Sequence, residues 1–240
     1  MEIHVVTAFP NTFSGPLSAS IVKRAIDSGL VRIFLHDIRE YATDKHKQVD
    51  DYPYGGGPGM ILKPEPIFRC FDMLFSNYDL KRENVILMSP LGRPFTQKKA
   101  VELSVRDNII LLCGHYKGID ERIRRNLVAE EISIGDFITT GGEMPAMTII
   151  DSVVRLLPGA IGDFDSADTD SFQSGLLDHP HYTRPEIFRG MAVPNVLLSG
   201  NHAEIEKWRQ TQRLARTKRN RRDLYNQYLE DNKTSEYGRQ

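Results

Sequence analysis

Strand-like and helix-like hydrophobic patterns alternate over about the first 160 residues of the chain. Short apolar runs predict four strands, at residues 3–7, 31–35, 85–88 and 109–113. Helical periodicity predicts three helices between them, at residues 17–26, at residues 65–75 and from an N-cap at Thr96 to Ser104. Because the strands are largely apolar and alternate with helices, they favour a parallel sheet covered on two sides. We therefore predict an α/β fold for this part of the chain.

The pattern changes after Gly159. Residues 161–175 are small and acidic without a clear period, which is typical of a flexible linker. From Asn201 onward the pattern is helical, and Asn201 with Glu204 resembles a capping box. The chain is thus predicted to comprise an α/β domain at 1–160, an acidic linker at 161–175 and a helical domain at 176–240.

Composition places the chain among ordinary globular proteins. It has 240 residues, of which 40% are hydrophobic and 26% charged, enough apolar surface for a sizeable core. No apolar stretch approaches the roughly 20 residues of a membrane span, and the acidic start at Met1–His4 does not resemble a signal peptide. Cys70 and Cys113 lie in apolar runs without metal-ligand spacing, as expected in a reducing compartment. We expect a soluble cytoplasmic protein.

Charge is distributed unevenly although the formal net charge is only -1. Eight basic residues and no acidic one lie between Lys207 and Arg222, whereas five aspartates and no basic residue lie between Gly162 and Asp178. A basic helix behind an acidic segment indicates a polyanionic partner such as a nucleic acid. Taken alone, the same pattern also fits a solvated helix face.

Three glycine-containing loops follow predicted or expected strands, at residues 54–59, 113–118 and 134–142. Ligands of open α/β sheets bind beyond the carboxyl ends of the strands, where glycine lets backbone groups approach closely. None of the loops matches the phosphate-loop or the dinucleotide-binding pattern, which disfavours an ordinary phosphate-loop enzyme or dehydrogenase. A nucleotide-like ligand fits the three loops together, although each loop alone fits a plain tight turn better.

Other chemically interesting residues remain ambiguous at this level. The pair of histidines in Asp178–His181 is separated by a proline and has no matching ligand cluster, so we predict no metal site there. Asp170 lies in the acidic segment, where a carboxylate could be held over a substrate, but its spacing alone favours a capping or solvated residue. Arg155 follows Asp151 by four residues, the spacing of an intrahelical ion pair.

Taken together, five segments resemble, in order and spacing, the bacterial tRNA (guanine-N1)-methyltransferase family. The segments are Asp51–Met60, Gly118–Arg122, Ser133–Phe137, Thr140–Ala146 and His181–Pro185. With Thr7–Pro10 near the start and the helix at Lys207–Arg209, the resemblance covers nearly the whole chain.

The resemblance implies a fold, a reaction and partners. The fold is a SPOUT-type parallel sheet with a C-terminal trefoil knot in the catalytic domain, followed by a small helical domain. The reaction transfers a methyl group from S-adenosylmethionine to N1 of the guanosine immediately 3′ of the anticodon (position 37), in tRNAs where a guanosine precedes it. Magnesium supports the reaction, the tRNA anticodon stem-loop is the partner, and a homodimer shares each active site between its subunits.

The resemblance also assigns roles to individual residues. Asp170 is implied as the general base, acting across the dimer, and Arg155 as the residue that orients guanine and stabilises negative charge on its O6. The implied cofactor-binding residues are Leu87, Met88, Ser89, Pro90, Gly114, Tyr116, Ile134, Gly135, Phe137, Thr139, Gly141 and Gly142. The implied substrate-binding residues are His181, Tyr182, Arg184, Lys207, Arg209 and Arg213, and no residue is implied as a resident metal ligand.

Three positions depart from the pattern of the family. Lys117 stands where an acidic residue is usual, Leu91 replaces a usual glutamine and Tyr52 a usual arginine. An acidic side chain at position 117 could face the cofactor's ammonium group or help to place magnesium, which a lysine does not do. Two alternatives therefore remain open: an RNA-binding protein that has lost turnover, and a knotted methyltransferase that acts on a ribose 2′-hydroxyl or on rRNA.

Overall fold

A five-stranded parallel sheet forms the centre of the N-terminal part of the computed structural model. The strands among the described residues are β1 (Glu2–Thr7), β2 (Arg32–Asp37), β3 (Asp50–Asp51), β4 (Ile61–Leu62), β5 (Val85–Pro94), β6 (Asn108–Cys113), β7 (Glu130–Ser133), β8 (Ile187–Phe188) and β9 (Met191–Ala192). The strand order of the sheet is β2-β1-β6-β5-β7. Two antiparallel pairs, β3 with β4 and β8 with β9, lie outside the main sheet.

The structure describes residues 1–161 and 170–237, with side chains up to residue 232 in the last helix. The α-helices in this part are α1 (Ser14–Leu17), α2 (Ser20–Asp27), α3 (Pro64–Asn77), α4 (Gln97–Ser104), α5 (Glu121–Leu127), α6 (Glu143–Val154), α7 (Asn195–Leu198), α8 (His202–Asn220) and α9 (Arg222–Tyr237). Short 3-10 helices occupy Pro10–Phe13, Ile38–Tyr41 and Arg82–Asn84.

The chain divides into two compact units, Met1–Gly162 and Asp163–Gln240. Most of the predicted linker, residues 162–169, lies outside the described residues. The described remainder turns back on itself, since the backbone N–H of Phe172 donates to the carbonyl of Leu176 over 2.8 Å. In the described part of the chain, no helix is long and apolar enough to cross a membrane.

The sheet is buried on both faces, which confirms the predicted α/β fold. In β6, Ile109 and Leu111 belong to a core shared with α2, α4 and α6, whereas Ile110 and Leu112 belong to a second core shared with α3 and α5. Successive strand residues point to opposite faces, so a continuous apolar run is what two helical layers require. The Thr96 N-cap is also confirmed, since its side chain accepts from the backbone N–H of Lys99 over 3.3 Å.

Strand β5 departs most from the sequence prediction, because it continues past Met88 to Pro94. Residues 86–88 pair with 130–132 of β7, and residues 93–94 then pair with 132–133 of the same strand. Gly92 lies so close to the backbone of Glu131 and Ile132 that a side chain would collide with it. Local hydrophobicity does not reveal this second pairing, which depends on a partner about 40 residues away.

Helix α8 is the longest element among the described residues of the C-terminal unit. Asn201 accepts from the backbone N–H of Glu204 over 3.3 Å, so the Asn201 half of the predicted capping box is confirmed. Thr217 is fully buried, and its hydroxyl accepts from the backbone N–H of Leu177 over 2.9 Å. The segment before α7 is thereby attached to the helix that carries the basic residues.

Candidate functional site

A cavity of about 390 Å³ opens beyond the carboxyl ends of β6 and β7 and beside residues 87–91 of β5. All twelve residues implied as cofactor-binding line it: Leu87, Met88, Ser89, Pro90, Gly114, Tyr116, Ile134, Gly135, Phe137, Thr139, Gly141 and Gly142. Of the three glycine loops, those at 113–118 and 134–142 line the cavity, whereas the loop at 54–59 does not. Their meeting follows from topology, because parallel strands end at one edge of the sheet.

The two loops that line the cavity are joined by their backbones. The N–H of Gly142 donates to the carbonyl of Gly114 over 2.7 Å, and His115 forms an isolated β-bridge with Gly141. A Cβ atom on Gly142 would lie 2.8 Å from Cys113 Cα and 2.9 Å from the Gly114 nitrogen, which is too close for any side chain. Glycine at position 142 is therefore a steric requirement of this wall.

Side-chain hydrogen bonds to the backbone fix the conformation of the loop at 134–142. The Ser133 hydroxyl both donates to the carbonyl of Gly135, over 3.1 Å, and accepts from its N–H, over 3.2 Å. Gly135 has φ 148°, a conformation that favours glycine. The Thr139 hydroxyl donates to the carbonyl of Gly141 over 2.7 Å. The loop thus presents backbone groups to the cavity from a defined conformation.

Tyr116 adopts a strained backbone conformation at the cavity, with φ 58°. Partial burial raises the pKa of its hydroxyl, and a hydrogen bond to the Asp50 carboxylate raises it further. Tyr116 therefore stays neutral at physiological pH and serves as a hydrogen-bond donor.

Eleven residues beyond the implied cofactor-binding set also line the cavity. They are Leu91, His115, Lys117, Gly118, Ile119, Arg124, Ile132, Ser133, Ile138, Thr140 and Pro145. Lys117 is an exposed cation whose backbone N–H donates to the carbonyl of Met60 over 3.0 Å. Arg124 is tied to Glu131 over 3.0 Å, which leaves Lys117 as the more adaptable cation of the two. The glycine loop at 54–59 adjoins this wall, because a side chain on Gly59 would meet Lys117.

The two residues implied as catalytic belong to different units of the chain. Arg155 is half-buried directly after α6, and its backbone N–H donates to the carbonyl of Asp151 over 3.2 Å. Asp170 is half-buried at the start of the described part of the C-terminal unit, where its carbonyl accepts from the N–H of Gln173 over 3.4 Å. Their roles stay predictions.

Asp178, His179 and His181 come together in the C-terminal unit, with ligand atoms within 4.8 Å of one another. Burial opposes ionisation of Asp178, but a hydrogen bond from His181 over 2.6 Å and one from the N–H of His179 hold its pKa below the usual range. The Arg213 guanidinium lies 3.5 Å from the same carboxylate. The positive charge of Arg213 beside this carboxylate disfavours a divalent metal ion. The absence of a metal site here stays a prediction.

The residues implied as substrate-binding differ in accessibility. Arg184, Lys207 and Arg209 are exposed, as are the side chains of His181 and Tyr182. Arg213 is instead half-buried, and its guanidinium faces Asp178 within the same unit. The basic residues of α8 are thus not all solvated, because Arg213 contacts Asp178 of the preceding segment.

The chain matches known proteins over most of its length. The family model described as tRNA (Guanine-1)-methyltransferase TrmD matches residues 1–227. A protein of Anoxybacillus flavithermus named tRNA (guanine-N(1)-)-methyltransferase is 57% identical over 228 residues, which cover 95% of this chain and 93% of that protein. Proteins of the same name from Shouchella clausii and Listeria innocua are 54% and 53% identical over the same shares of each chain. The chain therefore belongs to the tRNA (guanine-1)-methyltransferase family, and the methyltransferase predicted from its motifs is confirmed.

Proposed function

We propose that the protein transfers a methyl group from S-adenosylmethionine to N1 of the guanosine immediately 3′ of the anticodon, in tRNAs where another guanosine precedes it. The observation that carries this proposal is the convergence of twelve residues, matched from separate motifs, on a single cavity at the carboxyl edge of the sheet. Family membership gives the reaction class, and the cavity supports the proposed site.

The cavity suits an adenosine-containing ligand. Its volume of about 390 Å³ falls in the range typical of small-molecule sites. Loop 134–142 offers backbone donors and acceptors for a base edge, while Leu87, Ile132 and Pro145 offer apolar contacts for a ring. S-adenosylmethionine, when bound, supplies an electrophilic methyl group on a sulfonium centre. Lys117 is placed to attract a carboxylate rather than an ammonium group, the reverse of an acidic residue at that position.

Asp170 is proposed as the general base. N1 of guanine carries a proton at neutral pH, and a nearby carboxylate that accepts this proton makes the nitrogen a nucleophile. General-base catalysis contributes about 10²–10⁴-fold in typical enzymes. Asp170 belongs to the C-terminal unit, and we propose that a homodimer brings it to the cavity of the partner subunit.

Arg155 is proposed to hold guanine and to stabilise the charge on O6. As N1 loses its proton, negative charge spreads onto O6, where a guanidinium both donates hydrogen bonds and offsets the charge. This role rests on the resemblance of the chain to the family.

The exposed cations of the C-terminal unit are proposed to bind the tRNA anticodon stem-loop. Lys207 and Arg209 on α8 suit phosphate contacts, which give affinity with little sequence choice. His181, Tyr182 and Arg184 offer stacking and hydrogen-bonding groups suited to unpaired bases. We further propose a trefoil knot in the catalytic unit, catalysis by the N-terminal unit with tRNA binding by the C-terminal unit, and support of the reaction by magnesium. Because Lys117 stands where an acidic residue is usual, we expect the reaction to depend only weakly on magnesium.

The test is methyl transfer from labelled S-adenosylmethionine to two tRNAs that differ at one base. One carries guanosine immediately 3′ of a guanosine-ended anticodon, and its control carries adenosine there. The proposal predicts labelling of the first tRNA alone. Equal labelling of both would favour a ribose or a remote target, and binding of tRNA without labelling of either would favour the non-catalytic alternative.

A further inference from the structure

A buried carboxylate lies behind the glycine turn of the cavity. Glu143 is the first residue of α6 and is only 5% exposed. Its Oε1 accepts from the hydroxyl of Thr7, at the end of β1, over 2.6 Å, and Thr7 is fully buried. A carboxylate is expensive to bury without such partners, so a purely packing role would be better filled by an apolar side chain.

The second carboxylate oxygen faces a histidine of the cavity wall. Glu143 Oε2 lies 3.5 Å from His115 Nδ1, a buried nitrogen with no hydrogen-bond partner in the part of the chain that the structure describes. Phe9 contacts both partners of Glu143. Its N–H donates to the Thr7 hydroxyl over 2.9 Å, and the centre of its ring lies 4.3 Å from that of the His115 ring. The amino terminus of the twelve-residue helix α6 further favours an acidic residue there.

These contacts connect three stretches that are remote in sequence. Thr7 belongs to β1, His115 to the loop after β6, and Glu143 to the turn into α6. Gly141 lies directly over the pair, since a side chain there would collide with Glu143 Oε2 and with His115 Nδ1. The carboxylate thus occupies the space behind Gly141, whose other side borders the cavity.

We propose that Glu143 is a positioning residue of the cofactor pocket, which fixes the Gly141–Gly142 turn against the Gly114–His115 loop through its hydrogen bond from Thr7 and its 3.5 Å contact with His115 Nδ1. The inference rests on the proposed function, because it assigns the pocket to S-adenosylmethionine. Glu143 is not a second general base, since Thr7 engages one of its oxygens and the side chain is shielded from solvent. What matters is the hydrogen-bonding geometry of the side chain rather than its charge.

The test compares Glu143→Ala with Glu143→Gln in the full-length protein. Binding of S-adenosylhomocysteine is measured by calorimetry, and KM for S-adenosylmethionine, KM for tRNA and kcat are measured by methyl transfer. We expect Glu143→Ala to raise the dissociation constant and KM for the cofactor about tenfold, equivalent to about 1.4 kcal/mol, with KM for tRNA unchanged. Glu143→Gln keeps an acceptor for Thr7 and gains a donor for His115 Nδ1, so it should remain within about threefold of wild type.

A second pair of variants covers the case in which Glu143→Ala does not fold. Thr7→Val preserves shape but removes the donor to Glu143, whereas Thr7→Ser preserves it. We expect Thr7→Val to weaken cofactor binding and Thr7→Ser to retain it. Glu102→Gln, at an exposed ion pair of α4 outside the cavity, is the matched control and should leave cofactor binding unchanged.

The outcomes separate the inference from the function on which it rests. Folded Glu143→Ala or Thr7→Val protein with wild-type cofactor affinity would overturn the inference, as would a Glu143→Gln variant no better than Glu143→Ala. A lower melting temperature with unchanged cofactor affinity would assign Glu143 to stability alone and would also overturn it. If wild-type protein neither bound S-adenosylhomocysteine nor transferred methyl groups, the proposed function itself would fail.

Discussion

Substitution of Gly142 by alanine should disrupt the wall between the two loops of the cavity. Gly142 has φ −77°, so alanine suffers no backbone strain and the effect is purely steric. The added Cβ would lie 2.8 Å from Cys113 Cα, 2.9 Å from the Gly114 nitrogen and 3.0 Å from Met88 Cβ. None of these atoms is the end of a flexible side chain, so the two loops must separate.

The size of the effect follows from these contacts. Overpacking costs about 1–3 kcal/mol, and separation also weakens the 2.7 Å hydrogen bond from Gly142 to Gly114, worth about 1 kcal/mol. A loss of about 2–4 kcal/mol corresponds to a melting temperature lower by about 5–15 °C for a chain of this length. Because both loops line the cavity, we expect the dissociation constant for S-adenosylhomocysteine to rise at least tenfold.

The assay is calorimetric binding together with thermal unfolding of the Gly142→Ala and Gly15→Ala variants. Gly15 lies in α1 with an ordinary backbone conformation, and a Cβ atom added there would have no neighbouring atom within 4 Å, so alanine should neither weaken ligand binding nor lower the melting temperature. If Gly142→Ala bound the ligand and unfolded like wild type, the steric account of this wall would be refuted.

Three further predictions concern catalysis, pH and the basic helix. Asp170→Asn should lower the methyl-transfer rate by about 10²–10⁴-fold without weakening tRNA binding in a gel-shift assay, and a rate within threefold of wild type would exclude the proposed base. Burial, together with the neighbouring His4, lowers the pKa of His36 to about 4, so the native state binds fewer protons than the unfolded state below pH 6.5. Stability should therefore fall as pH drops from about 6.5 to 4, and His36→Gln should flatten that slope in urea titrations; an unchanged slope would contradict the assignment. Lys207→Ala with Arg209→Ala should weaken binding of all tRNAs alike and reduce the salt dependence by about one ion for each residue, whereas altered base preference would contradict a phosphate role.

The fold was predictable where local pattern and tertiary structure agree. The run at 109–113 is apolar on both faces because it is the central strand between two helical layers, and this signal is strong. The second half of β5 gave no such signal, since Arg93 and Pro94 pair with β7, and Gly92 packs against the β7 backbone, through contacts that no local pattern encodes. Helix boundaries shifted by only a few residues, as for α2, which begins at Ser20 rather than Leu17.

The candidate site was predictable in part, and through two different kinds of signal. Glycines after strands indicated the loops at 113–118 and 134–142, and the family resemblance selected the individual residues. The loop at 54–59 carries the same glycine signal yet lies outside the cavity. The contact between Thr7 and Glu143 spans 136 positions, and a buried polar pair of this kind has no periodicity from which to infer it.

The central claim is that the cavity between the loops at 113–118 and 134–142 holds the methyl donor. The most direct measurement is a crystal structure of the protein with S-adenosylhomocysteine. The account predicts the ligand in this cavity, with its base against the backbone of loop 134–142 and its carboxylate toward Lys117. A ligand bound elsewhere, or a cavity left vacant at saturating S-adenosylhomocysteine, would contradict it.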